Sequence, residues 1–178
     1  MNDMDKMSLE IAKASLEITK KIQEEVPRFG TPPSETATSP AEMVFPHALA
    51  KGTRDYIEKV AYQINGSYAS GWYDACAVML RRLIEVLIIE SIESYNIEAK
   101  IQNPSKDYLY LGDLITKMLS EPSWNLGRNV KRALPRLKNI GDLSAHSRRY
   151  FACREDIDKV IPDIRLVIQE LVYLAKLK

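Results

Sequence analysis

Apolar residues recur along most of this chain at intervals of three and four, the spacing that lines one face of a helix. From Met4 to Glu25 the recurrence is thin. Met4, Met7, Ile11, Ala14 and Ile18 form a single seam of coiled-coil type, with Lys6, Glu10, Lys13, Glu17 and Lys20 on the other faces. A helix with so narrow a seam gains little order by itself, so the pattern predicts that it packs on another subunit or back on its own domain. At Pro27 the periodicity stops. Prolines among serines and threonines then predict a linker, in which Ser39-Pro40-Ala41-Glu42 has the form of a capping box opening a short helical turn before Pro46.

The helical period returns at Thr53, where Tyr56, Ile57, Val60, Ala61, Ile64 and Tyr68 fall on one face. Gly71 interrupts it. The stretch from Trp72 to Tyr95 is the most apolar in the chain, and Val86-Leu87-Ile88-Ile89 contains no polar residue. Those β-branched residues alone would suit a strand, but the apolar periodicity around them continues for many turns, which predicts a helix at the centre of a bundle. A polar loop from Asn96 to Asp107 follows. Leu111, Leu114, Ile115, Met118 and Leu119 mark a shorter helix ended by Glu121-Pro122-Ser123. Val130, Ala133, Leu134, Leu137 and Ile140 mark another, bent at Pro135 and stopped by Gly141. The last helix is expected to start near Glu155-Asp156 and to kink at Pro162, with Ile157, Val160, Ile161, Ile164, Ile168, Leu171 and Leu174 as its buried stripe. The predicted fold is all-α: an amphipathic helix over residues 1–26, a proline-rich linker over 27–50 and a helical bundle over 51–178.

Composition narrows the function classes. The 178 residues carry 25 basic and 24 acidic side chains, a formal charge of +1, which argues against a globally basic nucleic-acid binder. Two cysteines, Cys76 and Cys153, are too few for a disulfide framework, and with two histidines, His47 and His146, no metal site is expected. No cofactor is expected either, since phosphate-cradling and dinucleotide-binding glycine motifs are absent. No apolar run is long enough to span a membrane, and the acidic start Met1-Asn2-Asp3-Met4-Asp5 lacks the basic, apolar form of a signal peptide. The expected location is the cytoplasm, with no membrane partner.

Two constellations remain. Within Leu80-Arg81-Arg82-Leu83-Ile84-Glu85, both arginines lie at helical spacing from Glu85, and charges on so apolar a helix must be paired or reach solvent along their own stems. In Lys138-Asn139-Ile140-Gly141-Asp142-Leu143-Ser144-Ala145-His146, an Asp and a His follow the glycine in what reads as a tight, irregular segment. Around it lie Arg128, Lys131, Arg132, Arg136, Lys138, Arg148 and Arg149, a basic concentration in a nearly neutral chain. Those cations could neutralise phosphates while His146 moves a proton; the plain reading is a solvated basic face and a structural ion-pair network of Arg81, Arg82, Glu85 and Asp142.

Taken in this order, Arg-Arg-x-x-Glu, a basic helix, Gly-Asp-x-x-Ala-His and an acid-started terminal helix resemble a bacterial helical family of unknown function. That family is similar to the HEPN superfamily and often accompanies restriction and anti-phage machinery. The resemblance spans Thr53 to the C-terminus. It implies a short up-and-down bundle, a homodimer, and a cleft faced by the histidine motif. Ribonuclease members of the superfamily cleave without metal, using a histidine for proton transfer and a nearby upstream arginine to stabilise the phosphorane. Here the corresponding upstream positions hold Asn139, Ile140 and Gly141, and where the resembled family usually has an arginine before the glycine this chain has Lys138. Lysine supplies charge but no bidentate fork. His146 and Lys138 are the candidate catalytic pair. The expected function is nevertheless a non-catalytic scaffold or regulatory module of a defence or nucleic-acid-processing system, whose N-terminal helix reaches a protein partner. The alternatives are a metal-independent endoribonuclease and an RNA- or DNA-binding module without cleavage, working through Arg128, Lys131, Arg132, Arg136, Arg148 and Arg149.

Overall fold

The thin seam of Met7, Ile11, Ala14 and Ile18 is carried by a helix, α1 (Asp3–Glu25), and these side chains are exposed. The computed structural model describes residues 3–25 and 43–178, and the chain divides into two compact units, Met1–Ser34 and Glu35–Lys178. The expected linker up to residue 42, with its capping box at Ser39, lies outside the described residues.

The second unit is all-helical, with no strand among the described residues. Its order is α2 (Asp55–Ala69), α3 (Tyr73–Glu93), α4 (Leu111–Ser120), α5 (Arg128–His146), α6 (Arg154–Asp158) and α7 (Ile161–Leu174). The most apolar segment forms α3, which packs against α2, α4, α5 and α7. Leu80, Leu83, Ile84, Leu87, Ile88 and Ile92 are buried around much of its circumference, as expected of a helix surrounded by others. Gly71 makes the turn between α2 and α3 at a φ of +77°, a left-handed conformation that a side chain would strain. Tyr56, expected on the buried face of α2, is exposed instead and donates its hydroxyl to the Glu90 carboxylate.

The structure departs from the sequence pattern at three further places. First, the bundle begins before residue 51. Val44, Phe45 and Ala50 are buried in the core, and among the described residues ahead of α2 a 3-10 turn, His47–Leu49, follows Pro46; the turn expected to open at Ser39-Pro40 falls on residues outside those described. Asn65, wholly buried on α2, holds this strap: its Oδ1 accepts from Val44 N at 2.9 Å and Phe45 N at 3.3 Å, and its Nδ2 donates to the Phe45 carbonyl at 3.0 Å. Arg165 on α7 adds donors to the carbonyls of Val44 and Met43 at 3.0 and 3.1 Å. Second, Gly141 does not stop α5, which runs through it and through Pro135 to His146. Third, the terminal helix is two helices: α6 ends at Asp158, and Pro162 sits in the first turn of α7, where its missing N–H costs no hydrogen bond.

Candidate functional site

Why α5 continues past a glycine is visible in its packing against α3. Gly141 is buried, and a Cβ placed on it would lie 2.5 Å from Cβ of Arg81 and 3.0 Å from the carbonyl oxygen of Ala77. The glycine is therefore a contact point between two helices, not a terminator. The close approach brings the two charged motifs together. Arg81 Nε donates to Asp142 Oδ1 at 2.6 Å, its Nη1 lies 3.6 Å from Glu85 Oε2, and Lys138 donates to the other Asp142 oxygen. One carboxylate thus holds two cations, one from each helix.

Arg81, Lys138 and Asp142 floor a shallow groove of about 530 Å³ lined also by Tyr110, Gly112, Asp113, Leu143 and His146. Arg81 and Lys138 are balanced there by Asp142, with Glu85 reaching Arg81 from outside the groove, and the side chains of Arg81, Lys138 and Asp142 are only 25–30% exposed. His146 is exposed in the last turn of α5, on a regular helix rather than an irregular corner, and its side chain has no hydrogen-bond partner among the described residues. Tyr110, 85% exposed, was not legible as a site residue: it lies outside both charged motifs, in the N-cap position of α4, and only the packing of α4 on α5 brings it to the groove.

Arg82 must be removed from the expected ion-pair network. It is exposed, and among the described residues it pairs with neither Glu85 nor Asp142. The reason is angular: adjacent helix positions point about 100° apart, so when Arg81 faces α5, Arg82 faces solvent. The basic residues also divide. Arg136 is tied to Asp163 on α7, whereas Arg128, Lys131 and Arg132 are exposed on the side of α5 opposite its buried Val130, Leu134 and Leu137. Arg148 and Arg149 are exposed just beyond the helix, followed by Phe151 at 79% exposure. Among the described residues no group of three or more His, Cys, Asp or Glu side chains could hold a metal ion, and no helix is long and apolar enough to cross a membrane.

Burial pushes the Asp142 carboxyl up, but the hydrogen bonds and charges of Lys138 and Arg81 outweigh it and hold the group below its ordinary range. A depressed carboxylate contributes stability that is present above its unfolded pKa of about 4 and lost as pH falls through the folded value. Asp142→Asn is expected to lower stability by about 1–2 kcal/mol at pH 7, less than for a fully buried pair because water still screens the cluster. The gap between wild type and variant in the urea midpoint should then narrow at pH 3. A gap of the same size at both pH values would show that the charge of Asp142 is not what joins the helices.

No protein-family model, curated protein or solved structure matches this chain.

Proposed function

We propose that the chain is a non-catalytic helical interaction module, HEPN-like in its Thr53-to-C-terminus bundle. In this reading it is a homodimer that acts as a scaffold or regulator in a bacterial defence or nucleic-acid-processing system. The observation that carries the non-catalytic reading is the double occupation of Asp142. Cleavage of the superfamily's kind needs a cation free to meet the phosphorane beside the histidine. Both cations of this groove are already committed to Asp142, and the one nearest His146 in sequence is a lysine. His146 itself has no neighbour that fixes its imidazole for proton transfer. Arg81, Lys138, Asp142 and Glu85 act in this reading as a clamp that holds α3 and α5 in register, and α1 is the arm that reaches a protein partner.

Incubating the full chain with mixed RNAs in a chelator is the direct test. The expected result is intact RNA with wild type and His146→Ala alike. Cleavage that disappears in His146→Ala, with an unchanged circular dichroism spectrum, would replace this reading with the metal-independent endoribonuclease.

One observation favours a second reading, RNA or DNA binding without cleavage. Arg128, Lys131, Arg132 and His146 share the solvent side of α5 over about 27 Å, a spacing that can follow a phosphate backbone. The same RNA mixture then binds with an affinity that falls steeply as salt rises, and salt-insensitive or absent binding ends that reading.

A further inference from the structure

The helix α1 repeats itself every seven residues. Met4, Ile11 and Ile18 take the first place of three successive heptads, Lys6, Lys13 and Lys20 the third, and Glu10, Glu17 and Glu24 the seventh. The fourth place holds Met7, Ala14 and Lys21. The first and fourth places make an apolar seam one residue wide, and it is open: Met7 and Ile11 are each 61% exposed and Ile18 58%. Leu9 and Leu16 share the sixth place, but Gln23 takes it in the third heptad, so no second seam runs the length of the helix. A helix packed on the bundle core looks different. α7 buries Ile164, Val167, Ile168, Leu171 and Val172, a stripe broadened by adjacent pairs.

A strict seven-residue period selects the kind of partner. On a straight α-helix such a seam drifts by about 20° per heptad, so it stays in contact only with a second helix that winds around the first. A globular surface calls for the broader stripe seen on α7. The flanking charges then select direction. In a parallel pair the seventh place of one helix faces the fifth place of the other. The seventh is acidic in every heptad, and the fifth holds Ser8, Ser15 and Ile22, so no like charges meet there. In an antiparallel pair the seventh places face each other, which sets Glu10 of each copy against Glu17 of the other. Isoleucine at two of the first places favours two strands. Lys21, the charge within the seam, lies in the last heptad and is paired with Glu17 at 3.4 Å. A second copy of the chain meets the seam with the same period, in register through all three heptads.

We propose that α1 pairs with α1 of a second copy as a parallel, in-register, two-stranded coiled coil through Met7, Ile11, Ala14 and Ile18. The proposal rests on the reading of the chain as a homodimer with α1 as its interacting arm, and it names the partner of that arm as this same chain. It is independent of what the His146 groove does.

Disulfide trapping in the full-length chain tests it. Cys76 is buried and Cys153 exposed, so Cys153→Ser removes the accessible natural thiol. In that background Met7→Cys is expected to give a disulfide-linked dimer on oxidation with diamide. A parallel pair sets the two introduced thiols side by side, whereas an antiparallel pair that opposes Met7 to Ile18 separates them by about 16 Å along the axis, beyond disulfide reach. Lys13→Cys, at an exposed place off the seam, should link more slowly by roughly tenfold or more, and adding Ile11→Asp with Ile18→Asp should slow the Met7→Cys link as much. Linking of Met7→Cys no faster than Lys13→Cys overturns the proposal, as does a Met7→Cys link undiminished by the two aspartates. A link that forms only when Met7→Cys and Ile18→Cys chains are mixed overturns it in favour of the antiparallel pair. Light scattering on the unmodified chain separates this failure from that of the underlying reading: a dimeric mass without the seam link overturns the coiled coil alone, and a monomeric mass overturns the homodimer as well.

Discussion

Gly141→Ala is expected to destabilise the bundle by about 2 kcal/mol, seen as a lower urea midpoint with an unchanged slope. An alanine in mid-helix is normally an improvement on glycine by about 1 kcal/mol. Here the added methyl would meet Arg81 Cβ at 2.5 Å and the Ala77 carbonyl at 3.0 Å, and neither atom is the free end of a flexible side chain. Relief requires α5 to move away from α3, a rearrangement expected to cost about 3 kcal/mol, which leaves the net loss. The same substitution at Gly112 is the control. A Cβ there would lie 3.3 Å from Cε of Lys138, which can swing aside, so stability should change by no more than about 0.5 kcal/mol. If Gly141→Ala were as well tolerated as Gly112→Ala, the close contact between the helices would be wrong, and with it the meeting of Arg81 and Asp142.

The larger loss, about 3 kcal/mol, is expected from Asn65→Ala. Asn65 is fully buried, and its amide satisfies two backbone N–H groups and one carbonyl of the Val44–Phe45 strap. Alanine would leave those groups buried without partners, each costing about 1–3 kcal/mol unless the strap lifts into water. Lifting would expose Phe45 and Val44, which are wholly buried. The variant therefore either loses stability globally or releases the strap locally, and limited trypsin digestion separates the outcomes. Release would speed cleavage after the exposed Lys51 and Arg54 before the bundle unfolds. Unchanged stability with unchanged cleavage would mean that the strap is held by its apolar side chains and by Arg165 alone.

The helices themselves were legible because burial on one side leaves a period in the sequence. α2, α3, α4 and α5 start within a few residues of their apolar patterns, and Val86 to Ile89 is helical as the surrounding period requires. The pairing of Arg81 with Glu85 was also legible, being a separation along one helix. Misread were the residues whose role depends on a neighbour distant in the chain. Gly141 reads as a stop because glycine is a poor helix former, yet in the fold it is required by the Arg81 stem sixty residues earlier. Val44 and Phe45 carry no periodic signal, since a short strap beside a proline has none, and their burial depends on Asn65. What this sequence determined by itself was therefore an all-α chain with one helix apolar enough to lie at its centre, because local periodicity encodes which face avoids water. Only tertiary packing decided that Asp142 joins Arg81 to Lys138 and that Arg82 is left in solvent, because contacts between helices depend on rotation and distance that no local spacing records.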